Sequence, residues 1–85
     1  MESNEILKKQ FLQIVNNQIK SNDPPETNET LKRLKGMGYS DKDAKILIGQ
    51  CVVVEIFDVM KHHKPFDEKR YIKNLKNLPK EPFDD

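Results

Sequence analysis

One segment constrains what this chain can fold into more than any other. From Ile46 to Met60 apolar residues follow one another with few interruptions, and at about 100° per residue they surround a helix on nearly every side. The segment exceeds the roughly 3–10 residues of a typical strand. Ser40, with Asp43 three residues later, provides a helix start before it. The pattern predicts a long third helix at the centre of a bundle or at an oligomer interface.

A β-hairpin is the alternative for this segment. The run 51–54 (Cys-Val-Val-Val) favours strands, and Gly49-Gln50 offers a turn. Residues 46–57 would then form two short strands. We favour the helix, because it uses the start signal at Ser40 and the full length of the apolar run.

A first helix is predicted from Ser3, a candidate N-cap, to about Lys20. Its apolar residues fall at i, i+4, i+7, i+8 and i+12, which is one stripe of an amphipathic helix. They are Leu7, Phe11, Ile14, Val15 and Ile19.

The second and fourth helices are predicted from their start signals. Asp23 as N-cap, Pro24 in the first turn and Glu26 resemble a capping box, and this helix runs to about Lys35. The fourth begins at Asp67, where Phe66 and Tyr71 have the spacing of a hydrophobic staple. The buried side of the fourth helix is expected to contain Tyr71, Ile72, Leu75 and Leu78.

Length and composition agree with a single small domain. The 85 residues allow one core, and 15 basic against 14 acidic residues leave a net charge of +1, which argues against a nucleic-acid or anionic-membrane binder. No long apolar run or signal-peptide pattern occurs, so we expect a cytoplasmic protein.

We predict an all-α fold, a small four-helix bundle with a long central apolar third helix. Residues 1–79 form the domain and 80–85 a flexible tail.

One stripe of the third helix carries groups that can bind a metal ion. Cys51, Glu55, Asp58 and His62 lie at i, i+4, i+7 and i+11, and side chains three or four residues apart converge on a helix. The stripe extends over roughly 16 Å, so one ion reaches only a neighbouring pair. Glu55, Asp58 and His62 are therefore candidate ligands of a divalent metal, or an acid/base site. The alternative is structural, with His62 paired to Asp58.

Glu55 also interrupts the apolar run. A buried carboxylate is costly unless it is paired. We expect a basic partner to pack against it, and the candidates are Lys8, Lys9 and Arg33. The alternative is a proton-transfer or ligand role.

Enzyme motifs do not occur. The chain lacks a glycine-rich phosphate loop, a Gly-x-Ser-x-Gly and a Cys-x-x-Cys, and Cys51 lies where a thiol is inert. Lys69, Lys73 and Lys76, with Arg70 at their edge, form a basic stripe without interleaved aromatic residues. We predict neither an enzyme nor a nucleic-acid binder, and no cofactor apart from the candidate divalent metal.

The turn before the third helix resembles a known binding loop. Residues 34–40 (Leu-Lys-Gly-Met-Gly-Tyr-Ser), followed by Asp43-Ala44, look like the first loop of a ubiquitin-associated domain, where Met-Gly-Phe/Tyr forms a hydrophobic patch. The resemblance implies a protein-binding patch at Met37, Gly38 and Tyr39. The third helix here is much longer than that three-helix module has. A glycine C-cap followed by a serine N-cap explains the same residues structurally.

A wider resemblance covers about half of the chain. Its most marked segments are 22–26 (Asn-Asp-Pro-Pro-Glu), 38–40 (Gly-Tyr-Ser) and 55–57 (Glu-Ile-Phe). The pattern is similar to a family of small bacterial helical proteins classed as a domain of unknown function. Relatives often carry a Glu and a His where this chain has Asn16 and Ile46. The resemblance therefore implies the helical fold rather than a metal or catalytic role.

These observations predict a small bacterial interaction or structural module that acts through helix packing. A chain this short has few elements to cover a helix that is apolar on every side, so the third helix predicts a homodimer. The candidate metal site and the ubiquitin-associated-like patch are the alternatives.

Overall fold

The computed structural model describes the backbone of residues 2–82 and the side chains of residues 8–82. Within that part the chain forms four helices and no strand. They are α1 (Glu2–Ser21), α2 (Pro25–Gly36), α3 (Asp41–His62) and α4 (Glu68–Asn77). The all-α four-helix bundle is confirmed, and the hairpin alternative is wrong. The predicted cap at Ser3, the side chain of Leu7 and the end of the tail lie outside the described residues.

The start of α2 differs from the prediction. Pro24, rather than Asp23, is the N-cap residue, with φ −77° and ψ 150°, and no side chain caps the helix. The residue before a proline is pushed to the extended region. Because Pro25 follows, Pro24 cannot be helical, and the first helical residue is Pro25. Both prolines lack an N–H, so the missing cap leaves fewer donors unpaired.

The starts of α3 and α4 are as predicted. The Asp43 backbone N–H donates to Ser40 Oγ at 3.0 Å, and the Arg70 N–H donates to Asp67 Oδ1 at 3.1 Å. The rings of Phe66 and Tyr71 meet edge to face with centroids 5.4 Å apart, which is the predicted hydrophobic staple. At its other end α3 stops at His63, which adopts a left-handed conformation with φ 54°.

The core lies where α3 packs on the other three helices, and α2 also contacts all of them. Its fully buried apolar side chains come from every helix. They include Val15, Leu34, Ala44, Ile48, Cys51, Val52, Tyr71, Leu75 and Leu78. Tyr39 and Ile56 pack against this cluster from its edge. No helix of the described part is apolar enough over sufficient length to cross a bilayer.

Arg33 joins α2 to the end of α4. Its Nη1 donates to the carbonyl oxygen of Leu78 at 2.7 Å and its Nη2 to that of Leu75 at 2.9 Å. The Leu75 carbonyl also accepts the Leu78 N–H at 3.2 Å, and carbonyls at a helix C-terminus lack the i+4 partner that the helix interior provides. The guanidinium therefore serves as a C-cap supplied by another helix, at the end where the helix dipole favours a cation.

Candidate functional site

Glu55 is fully buried, and its partner is Arg70 of α4. Arg70 Nε donates to Glu55 Oε2 at 2.6 Å and Arg70 Nη2 to Glu55 Oε1 at 2.8 Å. This two-point pair is the strongest form of ion pair between these groups, and it raises the pKa of Arg70 above its ordinary value. The prediction that Lys8, Lys9 or Arg33 pairs with Glu55 is wrong, because Arg70 donates to both carboxylate oxygens. Arg33 instead contacts the end of α4.

Asp58 and His62 extend the same pair toward the surface. Arg70 Nη2 also lies 3.0 Å from Asp58 Oδ2, and His62 Nε2 lies 3.7 Å from Asp58 Oδ1. The Arg70 guanidinium therefore contacts two of the three candidate ligands, Glu55 and Asp58, whereas His62 contacts Asp58 alone. In the part of the chain that is described, no three His, Cys, Asp or Glu side chains group closely enough to hold a metal ion. Both Glu55 oxygens accept hydrogen bonds from Arg70, so this carboxylate has a complete structural explanation.

Cys51 has the environment of a core residue. Its side chain is fully buried, and burial, together with the charge of Glu55, raises the pKa of the thiol to about 12. A thiol this weakly acidic forms almost no thiolate at neutral pH. The inert character predicted from the apolar run agrees with this position.

A buried polar contact that the sequence did not indicate links three helices. Thr27 Oγ1 of α2 donates to Gln18 Oε1 of α1 at 2.8 Å, and Tyr71 Oη of α4 donates to the same oxygen at 2.6 Å. Burial raises the pKa of Tyr71 to about 12. The three residues come from distant parts of the chain, so no local spacing could have paired them. Their role is to satisfy polar groups inside the bundle.

The turn between α2 and α3 presents only part of the predicted patch. Met37 is 54% exposed, whereas Tyr39 packs against the core cluster and is half-buried. Gly38 adopts φ +105°, a conformation that glycine takes without a steric penalty. Each of these residues thus has a structural role in the turn, and Met37 is the one whose side chain faces solvent.

Among the side chains of residues 8–82, the largest apolar exposure lies on α3, on the side away from the core. Phe57 is 62% and Met60 67% exposed. They continue a row that starts with Ile46, Gln50 and Val53, all half-buried, and we call these five residues the outward face of α3. α3 carries apolar residues on nearly every side, as the sequence pattern indicates. The bundle, however, covers only the side that contains Ile48, Cys51, Val52 and Glu55.

A groove runs beside the first half of the outward face, between α1 and α3. It encloses about 280 Å³. Its lining is mostly apolar and comprises Lys8, Phe11, Leu12, Ile46, Gly49, Gln50 and Val53. A Cβ at Gly49 would lie 3.9 Å from Phe11 Cβ, which is an ordinary van der Waals contact. The Oε1 of Gln50 is buried without a hydrogen-bond partner among the described residues.

The spacing of residues along α3 indicates this surface, although the overall apolar composition of the helix does not. The five residues of the outward face are separated by four, three, four and three positions, which is the heptad spacing of a helix–helix seam. The apolar residues on the buried side of α3 hid this narrower repeat.

Comparisons with protein-family models, curated proteins and solved structures found no match to this chain.

Proposed function

We propose that this protein is a small interaction module that binds another helix with the outward face of α3, and that it acts as a homodimer. The observation that carries the proposal is the exposure of Phe57 and Met60 in line with the α1–α3 groove. Contiguous apolar surface on a small protein marks an interaction site more often than isolated apolar residues do.

The carboxylates and the thiol of α3, which are the candidates for a chemical role, are all accounted for by contacts inside the bundle. Glu55 and Asp58 accept contacts from Arg70, and Cys51 is a buried thiol with a raised pKa. The polar groups inside the bundle are therefore explained by packing. The apolar groups of the outward face have no such explanation within the described part of the chain, and burial against a partner would recover the hydrophobic free energy that their exposure forfeits.

A photo-crosslinker at position 57 tests the proposal. We would replace Phe57 with p-benzoylphenylalanine, irradiate living cells that produce the protein, and compare it with the same replacement at Lys69, which is exposed on α4. We expect a discrete adduct from position 57 and none from position 69. If both positions give the same faint or absent adducts, the outward face binds no helix and the proposal fails.

A further inference from the structure

A second cavity is lined by α4, by the segment that follows α4 and by Val54 of α3. It encloses about 290 Å³, close to the lower end of the roughly 300–1,000 Å³ of small-molecule sites. Its lining shares no residue with the α1–α3 groove or with the outward face of α3. What this cavity binds is therefore independent of the proposed function.

The polar lining of this cavity consists mainly of hydrogen-bond donors. Arg70, Lys73, Asn74 and Asn77 lie at i, i+3, i+4 and i+7 on one side of α4, and Lys80 joins them from the following segment. Arginine and lysine side chains only donate, and the two Asn amides donate as well as accept. Within the described part of the chain no carboxylate lines the cavity. Such a lining suits a ligand group that is rich in acceptors.

Arg70 has donors left over after it pairs with α3. Its Nε and Nη2 donate to Glu55, and Nη2 also lies 3.0 Å from Asp58 Oδ2. Nη1 carries two of the five guanidinium N–H donors, and it has no partner among residues 8–82. The two carboxylates hold the guanidinium in one orientation, so binding a ligand through Nη1 costs little further ordering.

The two lysines, rather than Arg70, supply the net positive charge of the cavity. Glu55 and Asp58 already offset the charge of Arg70. Lys73 and Lys80, in contrast, form no ion pair within residues 8–82. Two ammonium groups match a group with nearly two negative charges, and a phosphate monoester carries about −1.5 to −2 near neutral pH.

We propose that this cavity binds the phosphate group of a small molecule. Lys73 and Lys80 offset the phosphate charge, and Arg70 Nη1 and the two Asn amides donate to its oxygens. The three terminal oxygens of a phosphate monoester point in different directions, as do donors that come from α4 and from the segment after it. A carboxylate offers only two oxygens in one plane. Val54 and Pro82 form the apolar part of the lining.

Solvent limits the expected affinity. Lys73 and Lys80 are both exposed, and ion pairs of exposed side chains contribute little. Glu81, which follows Lys80 in the sequence, is exposed as well and opposes the approach of an anion. We therefore expect inorganic phosphate to bind with a dissociation constant on the order of 1 mM.

Titration with inorganic phosphate tests the site. We would record ¹⁵N-correlated spectra of the labelled protein at constant ionic strength, because salt screens such contacts. The side-chain amide signals of Asn74 and Asn77 should shift saturably, with half-saturation on the order of 1 mM phosphate. Sulfate, which is also a tetrahedral dianion, should bind similarly. Acetate should bind at least about fivefold more weakly.

Matched lysine variants separate the cavity from the general basic character of α4. Lys73→Gln/Lys80→Gln should weaken phosphate binding about fivefold. Lys69→Gln/Lys76→Gln removes the same charge outside the cavity and should weaken it less than about twofold. All four lysines are exposed, so we expect both variants to fold, which circular dichroism checks. Arg70 is left unchanged, because the buried pair depends on it.

Three results would overturn the inference. If no signal shifts saturably up to about 20 mM phosphate, the cavity holds no phosphate. If the two double variants lose affinity equally, the diffuse charge of α4 attracts the anion and the cavity does not. If acetate binds as tightly as phosphate, the site takes carboxylates instead. None of these results affects the proposed role of the outward face of α3.

Discussion

Glu55 and Arg70 form the pair on which the polar interior of the bundle depends most. A fully buried carboxylate persists here because a guanidinium from another helix contacts both of its oxygens. Breaking such a pair costs more than the pair itself contributes, because one charge remains buried and uncompensated.

Arg70→Met is expected to lower the free energy of unfolding by about 2–4 kcal/mol. The loss is smaller than for a pair with no solvent access, because the Arg70 side chain is 39% exposed and water can partly screen the charge left on Glu55. Urea unfolding at pH 7 measures it, with Lys69→Met as the matched control. The double variant Glu55→Met/Arg70→Met should regain much of the loss. Equal effects of Arg70→Met and Lys69→Met would contradict this account.

Two buried acids make the protein sensitive to alkaline pH. Burial raises the pKa of Tyr71 to about 12 from 10.0 and that of Cys51 to about 12 from 9.0. Between these values the unfolded chain releases both protons and the folded chain retains them, so stability is present below about pH 9 and declines toward pH 12. Each retained proton contributes a slope of about 1.4 kcal/mol per pH unit.

The sign of this effect can be tested with Tyr71→Phe. At pH 8 the variant should be less stable than the wild type by about 1 kcal/mol, because it loses the hydrogen bond to Gln18. Between pH 10 and pH 11 its stability should fall less steeply. Parallel pH profiles of urea midpoints for the two proteins would show that Tyr71 does not contribute to the alkaline loss.

Among the helices, α4 depends most on contacts made by another element. It has ten residues, and helices this short are marginal in water by themselves. Asp67 caps its start, whereas its end is held by Arg33 of α2. We therefore expect the end of α4 to respond to a change in α2.

Arg33→Met should loosen the C-terminal turn of α4 and lower the free energy of unfolding by about 1–3 kcal/mol. The carbonyls of Leu75 and Leu78 would lose their charged donor. Hydrogen exchange measures the effect, and we expect faster exchange of the α4 amides than of those in α3. Lys32→Met, at the neighbouring exposed position, serves as control. Uniform acceleration in all helices would indicate global destabilisation rather than loss of a cap.

For the whole molecule, self-association predicts that stability depends on concentration. Dimers dissociate on unfolding, so the wild-type melting temperature should rise by on the order of 5 °C between about 2 µM and 200 µM protein. Phe57→Asp should remove the rise, because burying a carboxylate on the outward face of α3 against a second copy carries a high desolvation cost. Met37→Asp, another exposed apolar position, should retain it. A melting temperature that is independent of concentration in the wild type would count against the dimer.

Most of the helical architecture was determined by the sequence, because its signals are local. The apolar repeats, the caps at Ser40 and Asp67 and the staple between Phe66 and Tyr71 act within about one helical turn of each other. The same kind of argument, applied to two successive prolines, explains why α2 begins one residue later than its capping pattern suggests.

Tertiary structure alone decided the partners across helices and the side of α3 that remains exposed. Arg70 rather than Lys8, Lys9 or Arg33 reaches Glu55, although the other three were equally basic. Which candidate is close enough depends on how the helices cross, and that is a property of packing rather than of spacing along the chain. For the same reason the apolar composition of α3 predicted burial on every side, whereas the other three helices cover one side and leave Phe57 and Met60 exposed.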